Sequence, residues 1–238
     1  MTHGAAAPGG GAVGPHSGAV RTIEHPAAST SRRSFRPGLL AGLAAGGGLA
    51  GIAVRVADAS GAPWAADLGS SPAVWVLAIG LLGRFAPTWT SAALRSAVFF
   101  ALQTAAYYAS GTRTLGSAGN AHIGVELVSL LLVPAFAAAG AAAVWWACRR
   151  PGLLSGLVFG ALAALVLVGG QAWRQVEIWT GAQPYLMGRP IQAGIDVLVA
   201  LVLVVGLPAH GRTRLWALAS AVPLAWLLAL SNLVWHAP

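Results

Sequence analysis

The chain has 238 residues, 57% of them hydrophobic and only 8% charged, with a mean hydropathy of +0.71. Soluble domains carry about a quarter charged residues, so this chain lacks the polar surface to fold in water, and lipid is read as its main solvent. The net charge of +8 comes from 14 arginines, no lysine and 6 acids. These arginines stand singly or in pairs between apolar runs, which argues against a nucleic-acid partner and for topology signals touching anionic headgroups.

Residues 1–36 are Gly, Ala, Pro, Ser and His with scattered charge. Such a composition cannot bury a core and predicts a disordered, basic cytoplasmic tail. His3, His16 and His25 are irregularly spaced there and carry no metal-site pattern. Ser31-Arg32-Arg33-Ser34-Phe35 has the form of a twin-arginine export signal, with Ala57-Asp58-Ala59 as its cleavage triplet. The apolar runs that follow exclude a soluble passenger, and the stretch reads better as the first membrane span. Cleavage after Ala59 would leave the later topology unchanged and stays open.

Seven apolar segments follow: Gly38 to Ala57, Pro72 to Pro87, Ser91 to Ala109, Ile123 to Ala147, Gly152 to Gln171, Pro190 to Leu207 and Leu215 to Val234. Most are long enough for a hydrocarbon core of about 30 Å; the second is the shortest. Pro134 and Pro223 fall inside the fourth and seventh and are expected to kink them. With the N-terminus in the cytoplasm, Arg21, Arg32, Arg33, Arg36, Arg84, Arg95, Arg149, Arg150, Arg212 and Arg214 fall inside, and Arg55, Arg113, Arg174 and Arg189 outside. This positive-inside bias holds loop by loop. The sequence therefore predicts an all-α polytopic membrane bundle over 37–238, with about seven transmembrane helices.

Eight tryptophans near the segment ends, Trp64, Trp89, Trp145, Trp146, Trp173, Trp179, Trp216 and Trp235, fit an interfacial aromatic belt. The single Cys148 excludes an internal disulfide. Arg36-Pro37-Gly38-Leu39-Leu40-Ala41-Gly42-Leu43 recurs as Arg150-Pro151-Gly152-Leu153-Leu154-Ser155-Gly156-Leu157. Two explanations fit: a parallel duplication of three spans around a linking span, as in some transporters, or convergence on a helix-start device of Arg, Pro and Gly. In either case Gly38, Gly42 and Gly46, and Gly152, Gly156 and Gly160, form small-xxx-small ladders expected to bring helices close.

Ionisable groups at membrane depth are costly and are the first functional suspects. Glu126 and Asp196 are the two acids inside apolar segments. His122 stands four residues before Glu126 and Gln192 four before Asp196, so each pair shares a helix face. With Gln103, Tyr107, Tyr108, Gln171, Arg174, Glu177 and Asn232, these groups concentrate polarity in the half expected outside. One reading is an outward-facing polar site of Glu126, Asp196, His122, Gln192 and Arg174 that holds a cation, a proton or a polar solute. The other is structural, with Glu126 reaching the interface and Asp196 paired to Arg174 or Arg113. HExxH, P-loop and GxSxG patterns are absent from the sequence, and neither a metal site nor a cofactor is expected. The reading is accordingly non-enzymatic.

The segment Gly69 to Arg113 resembles a family of multi-spanning membrane proteins of unknown function from high-G+C bacteria. Ser71-Pro72-Ala73-Val74-Trp75, a small-residue helix with Gly80 and Gly83, and Tyr107-Tyr108 carry the resemblance, with Pro72 where that pattern has Gly. It covers about a fifth of the chain and implies a membrane bundle in the bacterial cytoplasmic membrane, with no site residues. The expected function is a small-solute or ion permease, or a membrane subunit of one. The alternative is a non-transporting scaffold whose glycine ladders pack on a second copy or another membrane protein.

Overall fold

Proline and small capping residues set where the helices start. The computed structural model describes residues 37–62, 65, 71–111, 121–181 and 188–235, with the side chains at 37, 111, 121–127 and 232–235 excepted. The tail at 1–36 lies outside the described residues. Helix α1 is Pro37–Ala59. Helix α2, Pro72–Arg84, has Pro72 in its first turn, where no N–H is needed, and Ser71 caps it by accepting the Ala73 N–H at 3.2 Å. Helices α3, Trp89–Gly111, and α4, Ala121–Arg149, follow. Next come α5, Leu153–Gly169, and a short amphipathic helix α6, Gln171–Trp179. Helix α7, Pro190–Leu201, runs into a π-helical turn at Val202–Gly206, where the Leu207 N–H reaches back to the Val202 carbonyl at 3.0 Å. Helix α8 is Gly211–Trp235. These helices belong to one compact unit, Arg36–Pro238.

The apolar segments are helical, but not all have the expected length. Among the described residues, three helices are long and apolar enough to cross a membrane, at Gly38–Ala59, Val128–Arg149 and Gly211–Ser231. The second segment stops at Arg84 after 13 residues, a rise of about 20 Å. The fifth ends at Gly169 and bends by 59° into α6, a helix the sequence reading did not foresee; the pair would count as one bent span. Pro134 and Pro223 lie inside α4 and α8, each of which continues as one helix. Large apolar side chains cover the outer faces: Leu131 is 75%, Leu49 69% and Leu227 62% exposed. So much exposed apolar surface marks a membrane-associated protein.

Glycines bring the two tightest helix pairs together, on a register that differs from the expected one in α1. A Cβ at Gly47 would strike the Phe99 carbonyl oxygen, and one at Gly51 the Gln103 carbonyl oxygen, so α1 and α3 touch backbone to backbone. Gly38 and Gly42, expected at this contact, have nothing within 4 Å, and Gly46 only meets the edge of the Phe99 ring at 3.9 Å. The crossing point lies nearer the far end of α1, where Gly47 and Gly51 repeat the same four-residue spacing. On α5, Gly156 lies against Trp216 and Gly160 against Ser220 of α8. A Cβ at Gly152 would meet nothing within 4 Å, and this residue instead turns the chain before α5 with φ of 130°.

The two halves share one packing plan. The first helix packs on the third in α1–α3, and α5 packs on α8. In each half the middle helix, α2 or α7, opens with proline and leads through a short proline-containing turn (Pro87, Pro208) into the next. The two middle helices meet at Gly80, where a Cβ would lie 2.7 Å from Leu207. Between them sits the core, with Ala73, Val76, Val144, Phe159, Val166 and Leu203 buried.

One end of the bundle gathers the arginine-bearing turns. Arg149 donates to the Ala86 carbonyl at 2.8 Å and stacks on Trp145 at 4.4 Å. Gly152 N–H donates to Thr213 Oγ1 at 3.3 Å, and Arg214 Nε to the Pro208 carbonyl at 3.2 Å. These contacts join the turns after α2, α4 and α7.

Candidate functional site

The site begins with a break in the chain. At Gly169-Gly170 the α5 helix ends, and both positions need glycine: a Cβ at Gly169 would lie 3.2 Å from Pro72 and one at Gly170 would overlap the Asp196 carboxylate. The α6 helix that restarts at Gln171 has open N–H groups and a positive dipole end. Asp196, 2% exposed on α7, fills that position. Its Oδ2 accepts the Gln171 N–H at 2.5 Å and the Ala172 N–H at 3.2 Å, while Oδ1 takes a longer contact from Ser71 Oγ at 3.4 Å. One carboxylate therefore ties α7 to the N-termini of α6 and α2.

Pairing of Asp196 with Arg174 or Arg113 is the structural one of the two readings that the sequence offers. Among the described residues, the partners of Asp196 are N–H groups and a hydroxyl, which suit a buried carboxylate. Arg113 lies outside the described residues. Arg174 is on the exposed side of α6, and it and Gln192 line a polar cavity of about 270 Å³ beside this junction, with Ser71, Pro72, Gly169, Gly170 and Gln171. The structure thus brings Asp196, Gln192 and Arg174 into one neighbourhood. Helix α4 carries His122 and Glu126, but their side chains lie outside the described residues, so a site shared by Glu126 and Asp196 falls outside them too. Among the described residues, no group of three His, Cys, Asp or Glu could hold a metal ion.

A larger cavity, of about 840 Å³, opens between α1, α2, α3, α4 and α5. The helix crossing that joins α1 to α3 builds one wall: Gly47, Gly51, Val54 and Asp58 follow each other at three- and four-residue spacing, so Asp58 stands over α3 one residue before the end of α1. There the Tyr107 hydroxyl donates to Asp58 Oδ2 at 2.8 Å, and the Arg55 guanidinium lies 5.7 Å from the centre of the Tyr107 ring. Gln103, Thr104, Tyr108 and Ser129 complete a polar end. Deeper in, Trp75 and Phe100 meet edge to face at 5.9 Å, and Val76, Ile79, Gly140 and Leu162 close the apolar end. The arrangement can hold a ligand of mixed polarity by hydrogen bonds at one end and aromatic faces at the other.

Sequence reasoning counted Tyr107, Tyr108 and Gln103 among its polar groups but took Asp58 only as part of the Ala57-Asp58-Ala59 triplet. The signal available was its register with Gly47 and Gly51. A third cavity, of about 510 Å³ and almost wholly apolar, lies under α6 between Trp173, Trp179, Val197 and Trp226. No family model matches the chain, and neither a curated protein nor a solved structure matches it.

Proposed function

We propose that the chain is a multi-pass protein of the bacterial cytoplasmic membrane that works as a permease for a small solute, or as a membrane subunit of one. The cavity between α1 and α5 carries this reading. Its volume of about 840 Å³ is within the roughly 300–1,000 Å³ of small-molecule sites, and it runs from a polar end at Asp58 into the apolar interior. The shared packing plan of the two halves adds support, because parallel repeats are a transporter architecture. The resemblance of residues 69–113 to a bacterial membrane-protein family of unknown function goes with a membrane bundle and brings no activity.

The topology that goes with it has seven spans and a cytoplasmic N-terminus. The arginine-bearing turns would face the cytoplasm, and the Asp58 and Asp196 ends would face outward. Glu126, one helical turn before the cavity residue Ser129, belongs to the outward end in this scheme. Cysteine labelling tests it in a Cys148→Ser background: Ser60→Cys reacts with an impermeant maleimide in intact cells, and Thr88→Cys only after permeabilisation. The permease itself is tested with Thr104→Cys on the cavity wall. Alternating access requires labelling when reagent is added from either side, and labelling from one side only overturns it.

A scaffold reading has one observation in its favour. Gly38 and Gly42 have nothing within 4 Å, so this stretch of α1 is open to a second helix. Disulfide cross-linking of Gly42→Cys in membranes, in the same background, gives a dimer under this reading and only monomer without it.

A further inference from the structure

We infer that the apolar cavity under α6 holds one acyl chain of a membrane phospholipid; this stands apart from the permease reading and needs only a chain placed in a bilayer. The first observation is a helix face left without packing. Ala172, Trp173, Val176 and Trp179 of α6 all line this cavity, yet no residue of that helix is buried. An amphipathic helix lying at the headgroup level sets its apolar side on acyl chains. Helix α6 leaves the direction of α5 by 59°, the turn such a helix needs at the end of a span.

The second observation is the lining. Among the described residues that line the cavity, none is charged. The Gln175 Oε1 is buried beside Gly188, where an added Cβ would lie 2.8 Å from it. The Trp173 indole N–H is spent on Glu177 at 2.8 Å, and its ring is fixed edge to face on Trp226 at 5.3 Å. These groups are walls already held by their own partners. They offer contact area without charge, which suits an alkyl chain and would leave a polar solute short of partners.

The third observation is size and access. Gly194 floors the cavity, and a Cβ there would meet nothing within 4 Å. At about 30 Å³ per methylene, close to a water's share of liquid volume, the 510 Å³ holds on the order of 15 chain carbons. Val197 and Val222 line the same space and yet are 45% and 60% exposed, so it opens sideways between α7 and α8 onto the apolar outer surface. A partner helix, about 10 Å across with its side chains, would run into α6, which is tied to α8 through Trp173 and to α7 through Asp196. A single chain passes beneath it.

Native mass spectrometry of the full chain purified in mild detergent tests this. One phospholipid is expected to stay on each chain at detergent levels that strip the rest. Gly194→Phe, which fills the cavity from its floor, should lower that occupancy about tenfold or more. Gly42→Phe, set in open space on α1, should keep the lipid. A second measurement needs no variant to fold: tryptophan fluorescence of the delipidated chain should be quenched saturably by phosphatidylcholine brominated on its acyl chains. Dioleoyl phosphatidylcholine should relieve the quenching, and dibutyryl phosphatidylcholine, with the same headgroup, should not. No retained lipid, a retained fatty acid in its place, equal occupancy in the two glycine variants, or equal relief by the short-chain lipid overturns the proposal. A chain dimer that is lost in Gly194→Phe would give the cavity to a second copy and overturn it as well.

Discussion

Asp196 accepts the backbone N–H of Gln171 at 2.5 Å, and so holds the start of α6 from a helix 25 residues away in sequence. Gly170 is the N-cap residue of that helix, and the carboxylate that accepts its first N–H groups comes from α7. Caps of this kind are worth about 1 kcal/mol in exposed helices, and a buried one protects N–H groups that water cannot reach. Asp196→Ala should cost about 2–3 kcal/mol, since it leaves the Gln171 and Ala172 donors unpaired. Asp196→Asn should cost less, because its amide oxygen can still accept. Intrinsic tryptophan fluorescence during thermal unfolding in detergent measures both; an alanine variant as stable as wild type would show that α6 needs no cap.

The crossing of α1 and α3 gives a contrast between glycines of one helix. Gly51→Leu must push apart backbones that touch at the Gln103 carbonyl, and overpacking of this type costs about 1–3 kcal/mol. Gly42→Leu meets open space and should leave the midpoint where it was. Equal losses at both positions would mean that α1 packs on a different register in the membrane.

How much of this was legible differs from element to element, and the reasons are physical. Helix starts at Pro72 and Pro190 and the apolar runs themselves follow from local chemistry, so the sequence carries them. The α5–α8 contact at Gly156 and Gly160 was also within reach, since spacing alone marks the face. On α1, Gly38, Gly42 and Gly46 form one four-residue row, and Gly47 and Gly51 form another with the same spacing. Choosing between them requires knowing where α3 crosses, which is a tertiary fact. The break at Gly169-Gly170 was readable in hindsight as two glycines before the amphipathic Trp173-Arg174-Gln175-Val176-Glu177. It was missed because the apolar run continues to the break without a charge. Asp196, Gln192 and Arg174 were singled out for polarity and do lie together, but the partner of Asp196 is backbone, which leaves no mark in sequence.

Arg149 joins the turn after α4 to the turn after α2 through the Ala86 carbonyl at 2.8 Å while its guanidinium lies over Trp145. Lysine keeps the charge but has neither the planar group for the ring nor the forked donors for the Ala86 and Trp145 carbonyls, which the two terminal nitrogens of Arg149 reach at 2.8 and 3.1 Å. Arg149→Lys should therefore lower stability by on the order of 1 kcal/mol and leave cysteine labelling of Thr88→Cys unchanged. If the variant inverted the labelling pattern, Arg149 would be acting on topology through more than its charge. An unaltered midpoint would reduce it to a headgroup contact.

The junction at Gly170 and Asp196 should behave as one unit. A Cβ at position 170 would come within 2.6 Å of the Asp196 carboxyl carbon and 2.7 Å of the Val166 carbonyl oxygen. Gly170→Ala therefore displaces the cap as well as crowding its own turn, and part of its cost is the loss already suffered by Asp196→Ala. In the double variant the carboxylate is gone, so only the Val166 contact remains to be relieved. The two losses should fall short of additive by about 1 kcal/mol or more, within the range seen for touching residues. Unfolding midpoints for wild type, both single variants and the double variant, taken in the same detergent, give this coupling directly. Strict additivity would mean that α6 holds its start without Asp196, and that the cap and the glycine break serve separate purposes.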